Sequence, residues 1–358
     1  MQHSGSLGEN SPLTLKHASF EDEITSSSTK SSSSSWSSTF TEVLRIPRLI
    51  WDFTESNFAT FVVPNTAFGL LGGLTGAPLT SGHASTLSIV QRFPLVVAFN
   101  WYSVLIFDLA NQRGPESVAE DLANKPWRPI PAGKVTPEQT RKAMLVAIPA
   151  VLALNYVLDV WNEGVFILIL TWLYNDLRGG DELVRDAIIA VAYFLFNTAS
   201  LKIAISGGAA TGTAAAGAAD DVRVPITITH EGYAWAGIIS AAILTTMQVQ
   251  DLKDQAGDRG RGRATVPLYF GDRVSRTSLA VLVPFWSCVC VYVWHIRSSW
   301  AVLLPTLSGA MVVAAVLRTR TPETDARAWK LWCLWTVCLY SLPLVGDGFV
   351  SLASQHVE

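Results

Sequence analysis

Apolar segments long enough to cross a lipid bilayer recur through most of the chain. Hydrophobic residues account for 49% of its 358 residues and charged residues for only 15%, whereas roughly 25% of the residues of a soluble protein are charged. A helix of about 20 residues spans the hydrocarbon core of a bilayer. The sequence therefore predicts an all-α, polytopic membrane protein, a bundle of about nine transmembrane helices. We place these spans near residues 57–77, 88–110, 142–159, 163–175, 185–205, 231–250, 277–295, 299–317 and 329–350.

The N-terminal region differs in composition from the rest of the chain. Residues 1–42 are mostly polar, with a Ser-rich run from Ser26 to Ser38, and no apolar signal-peptide segment follows Met1. Such a segment has too few apolar side chains to offset the entropy cost of folding. We expect residues 1–42 to be a disordered cytosolic tail and residues 43–358 to form the transmembrane domain.

Basic residues are distributed unevenly between the loops. With the N-terminus in the cytosol, the loops on the opposite side hold only Arg92, Arg223 and Arg297. The cytosolic loops hold Arg113, Lys125, Arg128, Lys134, Arg141, Lys142, Arg178, Arg185, Lys253, Arg259, Arg261, Arg263, Arg273, Arg276, Arg318, Arg320, Arg327 and Lys330. The positive-inside rule therefore predicts this orientation. For a eukaryotic source, we expect a multi-pass protein of the endoplasmic reticulum.

Two acid-rich stretches, residues 108–129 and 251–265, lie at the polar ends of predicted spans on the cytosolic side. Charges at the edge of hydrocarbon are costly and often mark a functional site. Asp251, Asp254 and Asp258 are spaced i, i+3 and i+7, so on a helix they would share one face. Three such carboxylates repel one another unless a cation binds them, and oxygen ligands suit Mg²⁺. The alternative is a solvated helix end with ordinary surface charge.

The first stretch is the weaker of the two. Glu116 and Glu120 are spaced i and i+4, but Gly114 and Pro115 interrupt any continuous helix before them. A structural loop is the alternative here. Two clusters of this kind nevertheless suggest a metal that both stretches share.

Basic residues beside the acids indicate the substrate. Mg²⁺ commonly completes its coordination shell with waters and substrate phosphates. Lys125, Arg128, Lys253 and Arg263 can neutralise phosphate oxygens directly. A diphosphate held at a membrane surface implies a lipid-soluble remainder, for which an isoprenoid chain is the natural candidate.

Loss of that diphosphate would leave an allylic carbocation, which aromatic faces stabilise in a dry pocket. Core or interface packing is the alternative role for each aromatic candidate. The candidates are Trp101, Tyr102, Phe107, Tyr174, Tyr193, Phe194 and Phe196. The scattered His and Cys residues form no recognisable triad or zinc motif. We expect no nucleic-acid partner.

These motifs resemble the UbiA superfamily of intramembrane prenyltransferases over residues 51–350. The specific matches are Asn124-Lys125-Pro126-Trp127-Arg128-Pro129-Ile130-Pro131-Ala132-Gly133, Asp251-x-x-Asp254-x-x-Gly257-Asp258 and Gly262-Arg263-x-Thr265-x-Pro267. The resemblance implies helices around a central cavity, Mg²⁺ as cofactor, and a prenyl diphosphate and the lipid bilayer as partners. Oxygenases of the same pathway are conceivable partners that the sequence does not identify.

The resemblance also implies roles for individual residues. The implied catalytic residues are Asp251, Asp254, Asp258, Asn111 and Asp121. The implied metal ligands are Asp251, Asp254, Asp258, Glu116, Glu120 and Asp121. Lys125, Arg128, Lys253 and Arg263 would bind the diphosphate.

The first motif departs from the usual family pattern. Prenyltransferases of the family usually have three Asp residues there, whereas this chain has Gln112 and Ser117 in the first two positions, and only Asp121 matches. The sequence of this motif is similar to that of a fungal branch of the family, which includes the membrane-bound sesquiterpene cyclase of fumagillin biosynthesis. The resemblance implies a Mg²⁺-dependent terpene cyclase of secondary metabolism, a lyase that cyclises farnesyl diphosphate.

Two other functions remain open at this point. A prenyltransferase would move the prenyl group onto an aromatic or quinone-type acceptor, and nothing in the sequence marks an acceptor site. A membrane scaffold or transporter would have no use for acidic and basic groups paired around each motif. We therefore favour the cyclase over the transferase, and both over the scaffold.

Overall fold

The computed structural model describes residues 33–211, 223–318 and 320–350. By their internal contacts, Met1–Ile46 and Pro47–Glu358 are two separate units. Most of the predicted N-terminal tail, residues 1–32, lies outside the described residues. The first helix begins at Ser33, inside the remainder of that predicted tail.

The described residues form α-helices and a single short pair of β-strands. The pair is antiparallel and joins β1 (Ala209–Thr211) to β2 (Arg223–Pro225). The helices are α1 (Ser33–Asn57), α2 (Val63–Thr75), α3 (Thr86–Gln112), α4 (Pro115–Asn124), α5 (Pro137–Val157), α6 (Trp161–Asn175), α7 (Arg185–Ile205), α8 (His230–Thr246), α9 (Gln255–Arg261), α10 (Val266–Tyr269), α11 (Asp272–Val293), α12 (Ser299–Leu317) and α13 (Pro322–Tyr340).

Seven helical segments within the described ranges are long and apolar enough to cross a membrane. They are Arg45–Thr75, Thr86–Gln112, Pro137–Val157, Arg185–Ile205, His230–Gln250, Asp272–Val293 and Ser299–Leu317. The all-α membrane fold is thus confirmed, whereas the number nine stays a prediction. The two further predicted spans correspond to α6, which has 15 residues, and to α13, which carries four charged side chains.

A π-helical turn, Phe58–Val62, joins α1 to α2. Its cause is Pro64, which has no N–H to donate to the carbonyl of Thr60 four residues earlier and whose ring crowds that carbonyl. The backbone N–H of Val63 therefore reaches back to the carbonyl of Phe58. The hydroxyl of Tyr193, on α7, donates to the Thr60 carbonyl at 3.0 Å and satisfies it.

Helix α7 packs against α2, α3, α6 and α8. Its contact with α2 is close, because a Cβ atom at Gly69 would lie 2.6 Å from the backbone carbonyl of Ser200. The helices cross so closely here that only glycine fits at position 69. Arg185, at the start of α7, lies at the same end of the bundle as the carboxyl ends of α3 and α6.

Candidate active site

One cavity opens at the polar ends of α3, α6 and α7. It contains about 1010 Å³ of space outside protein atoms, counting its open mouth. The polar residues that line it are Asn57, Asn111, Glu120, Lys125, Arg128, Thr171, Tyr174, Arg185, Gln250, Lys253, Asp254 and Arg263. The apolar lining consists of Phe61, Val104, Phe107, Ile167, Leu170, Ile188, Ile189, Ala192, Phe196 and Trp329.

The charged rim of this cavity carries an excess of cations. Five basic side chains line it, against only two carboxylates, those of Glu120 and Asp254. Buried carboxylates behind the rim pair with three of these cations, Arg128, Arg185 and Arg263. The rim therefore presents mainly cationic groups to the cavity, which suits a negatively charged ligand.

The first motif reaches the rim through a sharp change of direction. Helix α3 ends at Gln112, and α4 begins at Pro115 after an extended Gly114. Proline suits the first position of a helix, because its missing N–H would have no partner there. This turn places Glu120, on α4, beside Asn111, at the end of α3, in the cavity wall.

The two residues that depart from the family pattern make specific contacts. The amide of Gln112 donates to the backbone carbonyl of Phe53 at 2.8 Å and ties α3 to α1. The hydroxyl of Ser117 accepts a hydrogen bond from Arg261 at 2.7 Å, which joins the first motif to the second. Neither residue lines the cavity.

Asp121 holds a cation in place behind the rim. Its two carboxylate oxygens accept hydrogen bonds from Nη1 of Arg128 at 2.8 and 2.9 Å. Arg128 lines the cavity and also donates to the hydroxyl of Ser56 at 3.0 Å, whereas Asp121 does not line the cavity. Because this pair is buried, removing the carboxylate would leave an uncompensated charge.

The second motif is not one continuous helix, so Asp251, Asp254 and Asp258 do not share one helical face as they would on such a helix. Met247–Gln250 is a 3-10 helix, Asp251 to Asp254 form turns, and α9 starts only at Gln255. The backbone N–H groups of Asp251 and Asp254 donate to carbonyls three residues earlier, as in tight turns. The three motif carboxylates consequently point in different directions. Each of them pairs with a different cation, as buried carboxylates require.

Asp251 pairs with Arg185, a residue that the sequence analysis did not assign to the site. Nη1 of Arg185 lies 2.6 Å from both carboxylate oxygens. Asp251 is 2% exposed and does not line the cavity, whereas Arg185 does. The signal in the sequence was only a basic residue at the start of a predicted span.

Asp258 and Glu120 connect the two motifs. Nη1 of Arg263 lies 3.1 Å from Oδ1 of Asp258 and 3.1 Å from Oε1 of Glu120. Arg261 donates to the other Glu120 oxygen at 3.1 Å, and both arginines contact Asp181, another residue that the sequence analysis did not identify. Burial and the charge of Asp251 raise the pKa of Asp258 to about 6.

Asp254 lies among lysines at the rim. It contacts Lys253 and lies 3.8 Å from Nζ of Lys125, while Nζ of Lys253 also sits 4.6 Å from the ring centre of Trp329. Burial alone would raise the pKa of Asp254, but the charges of Lys125 and Lys253 outweigh burial and lower it. Burial and the charge of Arg128 lower the pKa of Lys125 to about 8.

Further polar contacts fix the walls on either side. Asn111 donates to the side-chain oxygen of Asn175 at 2.9 Å, which joins α3 to α6. Asn57, which the sequence analysis also missed, lines the cavity and donates to the buried Asp108 at 2.6 Å. Glu116, by contrast, is exposed and lies 3.6 Å from Arg178, beside a smaller polar cavity.

The oxygen atoms around the cavity are of the type that Mg²⁺ binds. The described residues contain no group of three or more His, Cys, Asp or Glu side chains that could hold a metal. Mg²⁺, however, usually takes only one or two carboxylates and completes its shell with waters and phosphates. Glu120 and Asp254 offer such carboxylates within one cavity, and Oδ2 of Asp258 is buried without a hydrogen-bond partner.

Comparison with known proteins identifies relatives over most of the chain. The diterpene cyclase eriG of Hericium erinaceus is 25% identical over 82% of this chain and 87% of its own length. The polyprenyl transferase eriF of the same fungus is 30% identical over 70% of this chain and 78% of its own. The fumagillin beta-trans-bergamotene synthase af520 of Aspergillus fumigatus is 25% identical over 69% and 75%.

A solved structure shares the fold. A UbiA homolog from Archaeoglobus fulgidus, bound to GPP and Mg²⁺, superimposes with a TM-score of 0.51 at 14% identity, over 83% of this chain and 99% of that one. The model of the UbiA prenyltransferase family matches residues 70–336, which include both acid-rich motifs and every residue that lines the cavity except Asn57 and Phe61. The chain therefore belongs to the UbiA prenyltransferase family.

Proposed function

We propose that this enzyme is a Mg²⁺-dependent, membrane-bound terpene cyclase of secondary metabolism. It ionises a prenyl diphosphate, farnesyl diphosphate in our proposal, with release of diphosphate, and cyclises the allylic cation. The cyclic cation then loses a proton, which the released diphosphate can accept, and becomes the neutral sesquiterpene. The observation that supports this proposal is the division of the cavity into a charged rim and an apolar wall. A rim with five cations lies over a wall of apolar and aromatic side chains, which matches a substrate with an anionic head and an isoprenoid tail.

The rim residues would bind the head and stabilise the leaving group. Lys125, Arg128, Lys253 and Arg263, which we predicted for this role, are joined by Arg185. Their charges oppose the negative charge that develops on the departing diphosphate, which is the main way in which such a site lowers the barrier. The side chains are held in advance by buried carboxylates, so little reorganisation is needed during the reaction.

Glu120 and Asp254 would hold Mg²⁺, with Asn111 as a neutral oxygen ligand beside them. The metal would supply further neutralisation of the diphosphate charge. Metal ligation by Asp251, Asp258, Asp121 and Glu116 stays a prediction. Their contacts support a proposal that the first three act by positioning Arg185, Arg263 and Arg128.

The apolar wall would fold the prenyl chain and exclude water from the cation. Phe107, Tyr174 and Phe196, three of the predicted aromatic candidates, line the cavity together with Phe61 and Trp329. Trp101, Tyr102, Tyr193 and Phe194 do not line it. Trp101 and Tyr102 instead donate hydrogen bonds to Thr54 and Asn155.

We favour cyclisation over transfer because a cyclase needs only one substrate. A transferase must also bind an aromatic or quinone-type acceptor. The departure of the first motif from the usual three Asp residues, with Gln112 and Ser117 in two of the positions, also supports the cyclase. The similarity to a polyprenyl transferase keeps the transferase as the second candidate.

The proposal also includes the location of the enzyme. The seven apolar helices indicate a multi-pass membrane protein. We propose the endoplasmic reticulum, with the cavity mouth on the cytosolic side, because the basic residues around the motifs follow the positive-inside rule. A water-soluble diphosphate substrate would then enter from the cytosol.

The test uses membranes from cells that express the full chain. They are incubated with farnesyl diphosphate and Mg²⁺, without any acceptor, and the extract is analysed by gas chromatography with mass spectrometry. We expect a cyclic hydrocarbon that is absent with EDTA and from membranes that carry Asp254→Ala. Recovery of unreacted farnesyl diphosphate, together with product formation after aromatic acceptors are added, would replace the cyclase with the transferase.

A further inference from the structure

The inner end of the cavity is closed by two aromatic rings from different helices. Phe196, on α7, and Phe61, in the π-helical turn, both line the cavity, and their ring centres lie 6.0 Å apart at an edge-to-face angle of 68°. The other lining residues on α7, between Arg185 and Phe196, are closer to the rim. The rings therefore form the floor opposite the charged mouth.

The two rings of the floor pack against the close-packed core, so a ligand does not displace them easily. Phe99 lies behind Phe196 with ring centres 6.0 Å apart, and both are almost completely buried. Packed interiors resist expansion, because an added methylene forces side chains and backbone to shift. A ligand longer than the cavity must therefore fold back or displace the rings.

The π-helical turn fixes the position of Phe61. Tyr193 packs on Phe61 with ring centres 4.5 Å apart, and its hydroxyl donates to the carbonyl of the adjacent Thr60 at 3.0 Å. The carbonyl is available for this bond because Pro64 cannot donate to it. Tyr193 is accordingly a positioning residue for the floor, whereas Phe61 and Phe196 touch the space of the substrate.

The depth of the cavity can be compared with the length of a prenyl chain. Phe196 follows Arg185 by eleven residues of α7, which corresponds to about 16 Å at about 1.5 Å per residue. A five-carbon prenyl unit has four chain bonds of about 1.5 Å and extends about 5 Å in zigzag form. Three units reach about 15 Å and four reach about 20 Å, so the fourth unit meets the rings.

We infer that the ring pair Phe61–Phe196 sets the maximum chain length of the prenyl diphosphate at three five-carbon units. The inference rests on the proposed function and specifies its substrate. It assigns selectivity to the floor of the cavity, whereas the rim would treat all prenyl diphosphates alike.

The test measures binding, so it does not depend on cyclase or transferase activity. Full-length protein in membranes is loaded with a radiolabelled, hydrolysis-resistant farnesyl thiodiphosphate in the presence of Mg²⁺. Unlabelled analogues with two, three and four prenyl units then compete for the site. We expect the three-unit analogue to bind at least about tenfold more tightly than the four-unit analogue, a range typical of one misfit group in an apolar pocket.

Three variants locate the selectivity. Phe196→Ala should remove most of the discrimination against four units, to about threefold or less, and Phe61→Leu should do so partly. Phe194→Ala is the matched control, because it removes the same ring from the same helix, two residues before Phe196, at a position that does not line the cavity. It should leave the ratio between three and four units unchanged. Tyr193→Phe, which loses only the hydroxyl, should shift the ratio in the same direction as Phe61→Leu.

The outcomes separate the inference from the function on which it rests. The two-unit analogue does not reach the rings, so its binding reports whether each variant is folded. Equal binding of three and four units by the unaltered protein, or an unchanged ratio in both Phe196→Ala and Phe61→Leu, would overturn the inference alone. Failure of the unaltered protein to bind any prenyl analogue would overturn the proposed function and the inference with it.

Discussion

Arg185 and Asp251 form a bidentate ion pair, with Nη1 of the guanidinium 2.6 Å from each carboxylate oxygen. The Nε atom of Arg185 also donates to the phenol oxygen of Tyr174 at 3.0 Å. A carboxylate of the second motif therefore positions a cation that belongs to another helix, 66 residues earlier in the chain. Arg185 faces the cavity, and Asp251 supports it from behind.

We predict that Asp251→Asn acts through Arg185. Both Asp251→Asn and Arg185→Met should raise the KM for the prenyl diphosphate by about 10- to 100-fold, as is usual when a supporting partner of a binding group is lost. Because the residues act as a unit, the double variant should be little worse than either single variant. Steady-state kinetics in membranes measure this. Additive losses, or a raised Mg²⁺ requirement in Asp251→Asn alone, would instead indicate that Asp251 binds metal.

Asp254→Ala should abolish turnover, with a loss of at least about 100-fold in kcat, while the protein stays in the membrane. The carboxylate lies in the cavity wall beside Lys125 and Lys253, and its removal takes away a proposed metal ligand. EDTA should reproduce the loss in the unaltered protein. Glu138→Ala, at an exposed pair with Arg141, is the control and should keep full activity. Full activity of Asp254→Ala would contradict the site assignment.

Gly257→Ala should weaken the site by disturbing the contact between the two motifs. A Cβ atom at Gly257 would lie 1.9 Å from Nδ2 and 2.7 Å from Cγ of Asn124, so either this side chain or α9 must move. We expect a loss of about 10-fold or more in kcat/KM, since small displacements of binding groups are costly. Product formation at low substrate concentration measures this.

Gly260→Ala provides the matched control for this prediction. It lies on the same helix, and its added Cβ would meet no atom within 4 Å. It should therefore keep normal kinetics. Adding Gly257→Ala to an Asn124→Ala variant should cost less than adding it to the unaltered chain, because the clash is gone. Equal losses in Gly257→Ala and Gly260→Ala would show that the contact with Asn124 is not responsible.

Asp325→Asn should lower stability without changing the chemistry. Asp325 accepts two hydrogen bonds from Arg276 at 2.8 Å each, and Arg276 also donates to the backbone carbonyl of Val316. The substitution costs about 2 kcal/mol, because the buried Arg276 loses its charged hydrogen-bond partner on one side and keeps only Asp272 on the other. Thermal denaturation in detergent should show a lower Tm, while kcat per folded molecule is unchanged. A normal Tm would contradict the role of this pair.

Several motif residues that the sequence analysis named lie at one cavity, while their roles stay predictions. Lys125, Arg128, Lys253, Asp254 and Arg263 line the cavity, and two motifs separated by more than 100 residues meet there. Charge next to a long apolar span has few explanations other than function, so this signal was strong. The all-α membrane fold followed from the same hydropathy pattern.

The rest depended on long-range contacts that a single sequence does not show. Arg185 was visible only as a loop charge, and its role comes from packing of α7 beside the second motif. Asp251 to Asp254 form turns, so the shared face that their spacing would give on a helix does not occur, and Asp251 and Asp254 contact different cations. The π-helical turn near Pro64 could be suspected from the proline, but its partner Tyr193 is 133 residues away from Thr60.

The shared contacts of Glu120 also have a consequence for biosynthesis. Glu120 leaves the ribosome long before Arg261 and Arg263, the two cations that it contacts. During synthesis the N-terminal half of the bundle therefore carries a carboxylate whose counterions do not yet exist. The rim is complete only when α9 docks on α4, so a nascent chain shorter than about residue 263 lacks part of the charged lining of the cavity. Interrupted translation would then yield a membrane protein with an unfinished site.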